Sequence, residues 1–337
     1  MTRLATPGRL LAAGFVLLAV FAVLWIVPSD EYIFLPDEAQ AVAPLVDVEG
    51  EKPDEDGGGI YYVAVDVRKA SLLEKLVPGI REGATLVEVS QVRAPGQNDE
   101  EHRRAELASM RQSQEYAAAV ALRSLGYPIA IVPRGAEIAS VVEGFPAQGK
   151  LRPHDVVLAV DGKPVTNPDE FRSALLRKRP GESVRLSVRG RNGKRVVGLR
   201  TVRNPDRPDR PFIGVLIREP DVKLPITVRI ETGEVGGPSA GLAFALDLLE
   251  ELGRDVDRGL KVVASGELGL DGSVGGVGGI KQKTIGARRA GADVFLVPGD
   301  NAREARRHAG GLRVIPVQSF RQALRALATL EPKREET

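Results

Sequence analysis

The hexapeptide Gly-Gly-Pro-Ser-Ala-Gly at residues 236–241, with the apolar run behind it, restricts the possible folds most strongly. Glycines permit unusual backbone dihedrals and close approach of neighbouring chain, and Pro238 fixes the direction in which a helix can begin. Polar residues in the run recur three and four positions apart, which predicts one solvent-facing stripe on an otherwise buried helix. These polar residues are Asp247, Glu250, Glu251 and Arg254.

Ser239 lies where this turn passes into the helix. A hydroxyl at that position faces free backbone N–H groups and the positive end of the helix dipole, which suits a nucleophile whose product carries an oxyanion. The alternative interpretation is that Ser239 only caps the helix. A second catalytic group is needed to favour the nucleophile.

The segment Gly-Gly-Ile-Lys-Gln-Lys at residues 278–283 also predicts a turn entering a helix, and it contains two lysines. Helical spacing places Lys283 on a stripe of small and apolar residues, whereas Lys281 shares a half-polar stripe. Burial lowers the pKa of a lysine by up to ~3–5 units, and a neutral amine can accept a serine proton. We therefore interpret Lys283 as the base; a solvated surface lysine is the alternative.

The sequence offers few residues that could form another catalytic pair. The chain has no Cys and three His, and His102, His154 and His308 all lie in charged or polar segments. A serine–histidine pair using His154 or His308 stays an alternative. The sequence has no HExxH pattern and no Cys/His spacing, and the glycine-rich segment 272–284 lacks the Gly-Lys-[Ser/Thr] ending of a phosphate loop. We expect no metal, no cofactor and no ATP.

Length and composition allow two domains of ordinary size. The chain has 337 residues, of which 43% are hydrophobic, and its net charge is +2. The basic residues are dispersed among acidic ones without interleaved aromatic residues. A nucleic-acid partner is therefore not expected.

The N-terminal region contains an uncharged apolar stretch at residues 10–29 that is long enough to span a bilayer. Arg3 and Arg9 precede it and acidic residues follow it. This asymmetry predicts a single-pass anchor in the cell membrane, with residues 1–9 in the cytoplasm and the bulk of the chain outside. A cleaved signal peptide is the alternative, although no small-x-small cleavage site precedes the acidic run.

Composition changes along the rest of the chain suggest further boundaries. Residues 30–59 are rich in Pro, Gly and acidic residues and predict a tether. Residues 60–125 are expected to supply a first strand and helix of the catalytic domain, and residues 126–202 show short strands and turns. Residues 203–220 begin with several prolines and predict a linker, and residues 221–332 alternate strands and helices. The expected fold class is α+β.

The serine and lysine segments together resemble the proteolytic domain of Lon-type proteases. The match rests on Gly-Pro-Ser-Ala-Gly at 237–241, Ser-Gly-Glu at 265–267 and the lysine segment at 278–283, in that order. The resemblance implies that Ser239 and Lys283 form a catalytic dyad, so that the chain is a serine endopeptidase.

The same resemblance implies supporting roles. Lon proteases usually have a threonine that contacts the lysine where this chain has Ser265, so Ser265 is expected to orient the amine. They also have an acidic residue where this chain has Gly236. Backbone N–H groups of the serine turn are expected to hold the oxyanion. The turn residues assigned here are Gly237, Ser239 and Ala240.

Residues 126–202 resemble a bacterial PDZ domain, either inserted in the protease or adjoining it. PDZ domains bind a peptide as an added strand beside a helix. The resemblance implies a groove between the strand near residues 137–141 and a helix at 168–177. Its expected residues are Gly135, Ala136, Glu137, Ile138 and Phe171. The alternative is that the module is only a spacer.

The order of these modules resembles the membrane-anchored, PDZ-containing Lon-like serine proteases of bacteria (YlbL/SepM type). This resemblance implies an ATP-independent endopeptidase that cleaves membrane-associated or secreted proteins and peptides on the extracytoplasmic side. The PDZ domain is then expected to recruit substrate, and a homo-oligomer is compatible with this architecture. The competing interpretation is a non-catalytic PDZ adaptor at the membrane.

Overall fold

The computed structural model describes residues 7–49, 58–93, 98–132, 135–205, 207–218 and 220–333. The α-helices are α1 (Pro7–Ile26), α2 (Leu72–Leu76), α3 (Val89–Val92), α4 (Asp99–Ser124), α5 (Pro168–Leu176), α6 (Gly241–Glu251), α7 (Ile280–Arg289), α8 (Ala302–His308) and α9 (Phe320–Ala328).

The strands fall into two groups along the chain. Those before the catalytic segments are β1 (Pro28–Ala41), β2 (Val46–Val48), β3 (Gly59–Ser71), β4 (Thr85–Glu88), β5 (Ala130–Val132), β6 (Ala136–Val141), β7 (Val156–Val160), β8 (Lys163–Pro164), β9 (Ser183–Gly190), β10 (Gly193–Arg200), β11 (Val202–Arg203), β12 (Pro211–Phe212), β13 (Val215–Arg218), β14 (Asp221–Lys223) and β15 (Val228–Ile230). The later ones are β16 (Lys261–Ala264), β17 (Glu267–Leu268), β18 (Val274–Gly275), β19 (Val294–Pro298) and β20 (Arg313–Val317).

The chain divides into two compact units. The first comprises Met1–Ala117, Arg229–Leu268 and Ser273–Thr337, and the second comprises Ala118–Val228 with Gly269–Gly272. The second unit therefore interrupts the first in sequence. The mixture of helices with parallel and antiparallel strands confirms the predicted α+β class.

The first unit is built on a six-stranded sheet in the order β20-β19-β16-β3-β1-β4. β16, β19 and β20 are parallel, and their apolar runs suit strands covered on both faces. β16 pairs with β3 only at Gly59, Ile60 and Tyr61, so the rest of β3 has no partner strand on that side within the described part of the chain. This unpaired edge of β3 borders the cleft that contains Ser239 and Lys283.

Residues 30–49 do not form the predicted tether. β1 pairs with β3 on one edge and with β4 on the other, and Ile33 is completely buried. Tyr32 and Ile33 are consecutive and point to opposite faces of the strand, and both are buried, so both faces are covered here. The acidic and proline content of the segment obscured this strand in the sequence. The part of the predicted tether at residues 50–57 lies outside the described residues.

The predicted membrane segment, residues 10–29, overlaps α1 and the start of β1. Within the described ranges, no helix combines the length and the apolar content that crossing a membrane requires.

The polar stripe predicted for α6 is not exposed. Asp247 and Glu251 are buried and Glu250 is half-buried, and Arg254, beyond the end of α6, is exposed. The carboxylate of Glu250 accepts hydrogen bonds from backbone N–H groups of the following loop, which folds back over this helix face. Burial, reinforced by neighbouring carboxylates, raises the pKa of Asp247 to about 8, and burial raises that of Glu250 to about 7.

The second unit contains a sheet in the order β10-β9-β7-β6-β13, with α5 packed against it. Its core joins Ile138, Phe171, Leu186 and other apolar residues of these elements. β13 lies inside the predicted linker at 203–220, yet it pairs antiparallel with β6. The prolines that suggested a linker precede β13 and do not prevent it from joining the sheet.

Candidate active site

Ser239 and Lys283 lie side by side in the first unit. Nζ of Lys283 is 2.5 Å from Oγ of Ser239, and the lysine is 3% exposed. Lys281 lies elsewhere, because its amine donates hydrogen bonds to the carbonyl of Ala84 and the hydroxyl of Thr85. Of the two lysines in the segment, only Lys283 is placed to exchange a proton with Ser239.

The local fold of α7 explains the burial of Lys283. The helix follows Gly279, whose φ of 65° is left-handed, and a Cβ there would lie 2.7 Å from Val65 of β3. At Gly286, one turn beyond Lys283, a Cβ would lie 2.1 Å from the carbonyl oxygen of Asp37. The glycines therefore let α7 pack closely on β1 and β3 and enclose the lysine.

Desolvation lowers the pKa of Lys283 from its ordinary value of 10.5 to about 7. A large fraction of the amine is then neutral near neutral pH and carries a free electron pair. A neutral amine at hydrogen-bond distance from a serine hydroxyl can act as its general base.

Ser265 completes the contacts of the amine. Its Oγ lies 3.2 Å from Nζ of Lys283 and also donates to the carbonyl of Ser239 at 3.3 Å. The adjacent Gly266 N–H donates to the same Ser239 carbonyl at 2.8 Å. The end of β16 thus links the backbone of Ser239 to the side chain of Lys283.

Helix α4 holds the serine turn from the other side. The N–H of Gly237 donates to the carbonyl of Glu106 at 2.9 Å, and the hydroxyl of Ser113 donates to the carbonyl of Pro238 at 2.9 Å. Gly237 was predicted as an oxyanion donor, but this bond already uses its N–H group. The N–H groups of Ser239 and Ala240 are the remaining predicted donors.

Glu106 and Ser113 were not predicted as site residues. They are seven positions apart, so both lie on the same face of α4. This spacing could have indicated a shared partner, but it does not reveal which segment that partner belongs to.

A cleft of about 1300 Å³ opens onto Ser239 and Lys283. Residues 62–67 of β3 form one wall, and α4 contributes His102, Arg103 and Glu106. The unpaired edge of β3 and the serine turn therefore border the same space, which is large enough for a peptide segment.

The two alternative histidine bases are not among the described residues that line this cleft. Nδ1 of His154 lies 2.9 Å from Oε1 of Glu137 in the second unit. His308 is the last residue of α8 in the first unit. Neither is seen beside Ser239, whose hydroxyl contacts Lys283.

The predicted peptide groove beside β6 has no free strand edge. β6 pairs with β13 on one side and with β7 on the other, so a peptide cannot add to it. Its assigned residues serve the interior of the second unit: Ala136, Ile138 and Phe171 are buried in the core. The N–H of Gly135 donates to Thr166 O, and Glu137 contacts His154. β13, the outermost strand of this sheet, has the open edge instead.

Among the described residues, one acidic group has the spacing of metal ligands: Glu250, Asp255 and Asp257, whose carboxylate oxygens lie within 4.8 Å of one another. An oxygen of each carboxylate accepts a backbone N–H of the same loop. These carboxylates therefore close the loop after α6.

Two segments of the chain match models of known protein families. Residues 222–328 match the family model described as the Lon protease (S16) C-terminal proteolytic domain, and residues 101–197 match the PDZ domain model. The chain thus carries a serine peptidase domain of the Lon type together with a PDZ domain. Both matches agree with the predicted PDZ-containing Lon-like protease.

Curated relatives support the same assignment. Lon protease 1 of Bacillus subtilis is 41% identical over 91 residues, which cover 26% of this chain and 12% of that protein. Lon protease of Desulfosudis oleivorans is 27% identical over 278 residues, which cover 71% of this chain and 34% of that protein. The chain therefore spans about an eighth to a third of the length of these relatives.

A solved structure resembles part of the chain. The PDZ domain of an SdrC-like protein from Listeria innocua is 24% identical, with a TM-score of 0.24, and the match covers 25% of this chain and 94% of that one.

Proposed function

We propose that the protein is an ATP-independent serine endopeptidase that uses Ser239 and Lys283 as a catalytic dyad. The observation that carries this proposal is the 2.5 Å contact between Oγ of Ser239 and the buried amine of Lys283. The burial lowers the pKa of that amine to about 7 without a carboxylate partner, which makes it a base at neutral pH.

In the first step, Oγ of Ser239 attacks the peptide carbonyl carbon while its proton passes to Nζ of Lys283. N–H groups of Ser239 and Ala240 stabilise the oxyanion. Nζ then returns the proton to the leaving amine, the C–N bond breaks, and an ester on Ser239 remains. Water attacks the carbonyl carbon of this ester and gives a proton to Nζ. Nζ passes that proton to Oγ as the ester C–O bond breaks, which releases the carboxylic acid product and restores the serine hydroxyl. Ser265 keeps the amine oriented throughout.

Neither chemical step consumes nucleotide. The dyad acts on a segment that can enter the cleft in extended form, so we assign flexible protein segments and peptides as substrates. The unpaired edge of β3 beside Ser239 supports an extended substrate, because a strand edge offers free backbone hydrogen-bonding groups.

The test compares Ser239→Ala, Lys283→Ala and Lys281→Ala on an unstructured protein substrate, with fragments identified by mass spectrometry. The first two variants should lose nearly all cleavage and retain the wild-type circular dichroism, while Lys281→Ala should keep its activity. Cleavage that survives both dyad substitutions would refute the proposal and leave the non-catalytic adaptor as the better account.

Anchoring of the protein in the cell membrane, with its catalytic part outside the cytoplasm, is a second element of the proposal. It is supported by the charge asymmetry around residues 10–29 and by the apolar side chains that α1 presents outward. Leu11 and Phe15 are both 76% exposed, and Leu17 is 70% exposed. Such side chains need a lipid or protein environment.

The absence of Cys from the chain makes topology simple to test. Glu331→Cys introduces one thiol in a described, exposed position. In intact cells an impermeant maleimide should label it, and alkaline carbonate should leave the protein in the membrane fraction. Labelling only after lysis, or release by carbonate, would contradict this element.

We further propose that the second unit presents substrate by adding a peptide strand to β13. β13 is an edge strand, and its Val215 and Ile217 pack on the same core as Ala174 and Leu175 of α5. Leu216 of β13 is 56% exposed on this edge strand. An open strand beside a helix is the arrangement that peptide addition requires.

This role of β13 can be tested by measuring peptide binding to the full-length Ser239→Ala protein by fluorescence anisotropy. Leu216→Glu should weaken binding. Val196→Glu is the control, because Val196 is also an exposed apolar residue, 69% exposed, and it lies on β10 at the opposite edge of the sheet. Equal binding by the two variants would contradict a role for β13.

A further inference from the structure

The charges around the cleft are unevenly paired. Each lysine and arginine that lines it, apart from Lys283, has an acidic partner. The pairs are Lys69 with Asp99, Arg81 with Glu74, Arg103 with Glu234 and Arg289 with Glu82. Outside the dyad, His102 is the basic side chain of the lining for which the described residues supply no acidic partner.

Two acidic residues of the lining, Glu106 and Asp37, have no cationic partner among the described residues. Glu106 is half-buried, and within the described part of the chain no hydrogen bond or ion pair reaches its carboxylate. Oδ1 of Asp37 accepts the neighbouring N–H of Glu38. The cleft thus carries unneutralised negative charge at the wall formed by α4.

The position of Glu106 relative to the nucleophile is set by two glycines. A Cβ at Gly236 would lie 2.7 Å from Cβ of Glu106, and a Cβ at Gly237 would lie 3.0 Å from its Oε2. At Gly236 a side chain would collide with the Cβ and backbone of Glu106, and at Gly237 the φ of 89° favours glycine. The Glu106 carboxylate consequently lies beside Gly237, which is two positions before Ser239.

We propose that Glu106 is a specificity-determining residue that selects substrates with a lysine or arginine close to the scissile bond. A half-buried carboxylate without a partner is costly, and a substrate ammonium or guanidinium group would neutralise it with a charge-assisted hydrogen bond. An acidic substrate residue there would be repelled. The long side chains of lysine and arginine reach it from positions within about two residues of the cleaved bond.

This inference rests on the proposed peptidase function, because it concerns the substrate of the same cleft. Its test uses a series of quenched-fluorescence peptides identical except at one position, scanned across the scissile bond, that carries lysine, norleucine or glutamate. Norleucine has nearly the length of lysine without its charge. Specificity constants are measured for wild-type protein, Glu106→Gln, Glu106→Lys and the control Glu100→Gln, which changes an exposed glutamate of α4 outside the cleft lining.

At one scanned position the wild-type protein should cleave the lysine peptide about tenfold or more faster than the norleucine peptide. Glu106→Gln should reduce this ratio to about one, Glu106→Lys should favour glutamate instead, and Glu100→Gln should keep the wild-type ratio. The preference should also weaken in high salt, because a partly exposed ion pair is screened.

The same peptides are measured for binding to Ser239→Ala and to Ser239→Ala combined with Glu106→Gln, by fluorescence anisotropy. This readout needs no turnover, so it tests the charge preference even if the peptidase proposal fails. Equal binding of lysine and norleucine peptides at every position, or a lysine preference that survives Glu106→Gln, would overturn the inference. The peptidase proposal would stand if neutral peptides were still cleaved in a Ser239-dependent way.

Discussion

The hydroxyl of Ser113 donates a 2.9 Å hydrogen bond to the carbonyl oxygen of Pro238, the residue directly before the proposed nucleophile. Ser113 lies on α4, 125 positions away in sequence, and is buried. This bond is one of two by which α4 fixes the serine turn, since the Gly237 N–H also donates to the carbonyl of Glu106.

The first prediction is that Ser113→Ala misplaces the nucleophile. Loss of the hydroxyl leaves the Pro238 carbonyl without this donor, which should cost about 1–3 kcal/mol of folding free energy. Turnover should fall about tenfold or more with little change in KM, because the turn shifts relative to Lys283. Chemical denaturation and steady-state kinetics measure the two effects.

The control for that prediction is Ser124→Ala, at the last residue of the same helix, whose hydroxyl bonds only within α4. It should change neither turnover nor KM. If Ser113→Ala raised KM at unchanged kcat, Ser113 would act in substrate binding and not in positioning the turn.

The second prediction distinguishes the effect of the Ser265 hydroxyl from the effect of the size of the side chain. Ser265→Ala removes the contact with Nζ of Lys283, so kcat should fall by about 10- to 100-fold as the amine loses its orientation. Ser265→Thr retains a hydroxyl and should keep most of the activity. Comparable losses in both variants would mean that packing, and not the hydroxyl, is what matters at this position.

The third prediction concerns stability and Lys283. Its folded-state pKa of about 7 is lower than its ordinary value of 10.5, so between these pH values the unfolded chain binds more protons than the folded one. The stability of the wild-type protein should therefore rise with pH across this window, and the cost of the buried amine is fully present below pH 7. Lys283→Met lacks this cost.

Thermal unfolding at pH 6 and at pH 9.5 gives the measurement. Lys283→Met should melt at a higher temperature than wild type at pH 6, and the difference should shrink towards pH 9.5. Lys281→Met, which alters the partly exposed lysine of the same helix, should show no such convergence. A difference between Lys283→Met and wild type that is constant with pH would contradict a lowered pKa.

The fourth prediction concerns Asp247 on α6, the helix that follows the nucleophile. Its Oδ2 is buried without a hydrogen-bond partner, and its pKa is raised to about 8. The folded state holds this proton more tightly than the unfolded chain, so stability falls as pH rises from about 4 to about 8. Asp247→Asn should be more stable than wild type at pH 8, by about 1–3 kcal/mol.

That gain should become small at pH 4, because the folded-state carboxyl is then protonated and the unfolded-state carboxyl, with its ordinary pKa of 3.8, is about half protonated. Denaturant titrations at the two pH values measure it, with the exposed Asp255→Asn as the control. A gain equal at both pH values would show that Asp247 is neutral throughout and that only its shape matters.

Sequence patterns predicted the local features of the site and missed the contacts that α4 makes with the serine turn. The small and apolar stripe of α7 distinguished Lys283 from Lys281, because burial on a helix follows a short repeat that is visible in sequence. Glu106 and Ser113 hold the serine turn through hydrogen bonds between two segments that are separated in sequence by residues 118–228 of the second unit. No local periodicity encodes such a contact.

The errors in the fold have a related cause. Residues 30–41 were predicted as part of a tether and residues 215–218 as part of a linker, because prolines and charges lie in or near them. Both segments are strands whose stability comes from pairing with β3, β4 and β6. Pairing partners distant in sequence override local composition, and the groove assigned to β6 was wrong because the partner strand β13 was not foreseen.

The most direct test of the central claim is the pH dependence of peptide cleavage by the wild-type protein, with a substrate that has no ionisable group near the scissile bond. If the neutral amine of Lys283 deprotonates Ser239, kcat/KM should rise with pH along a single-proton limb with a midpoint near 7. A rate that stays constant between pH 5 and pH 9 would contradict the account.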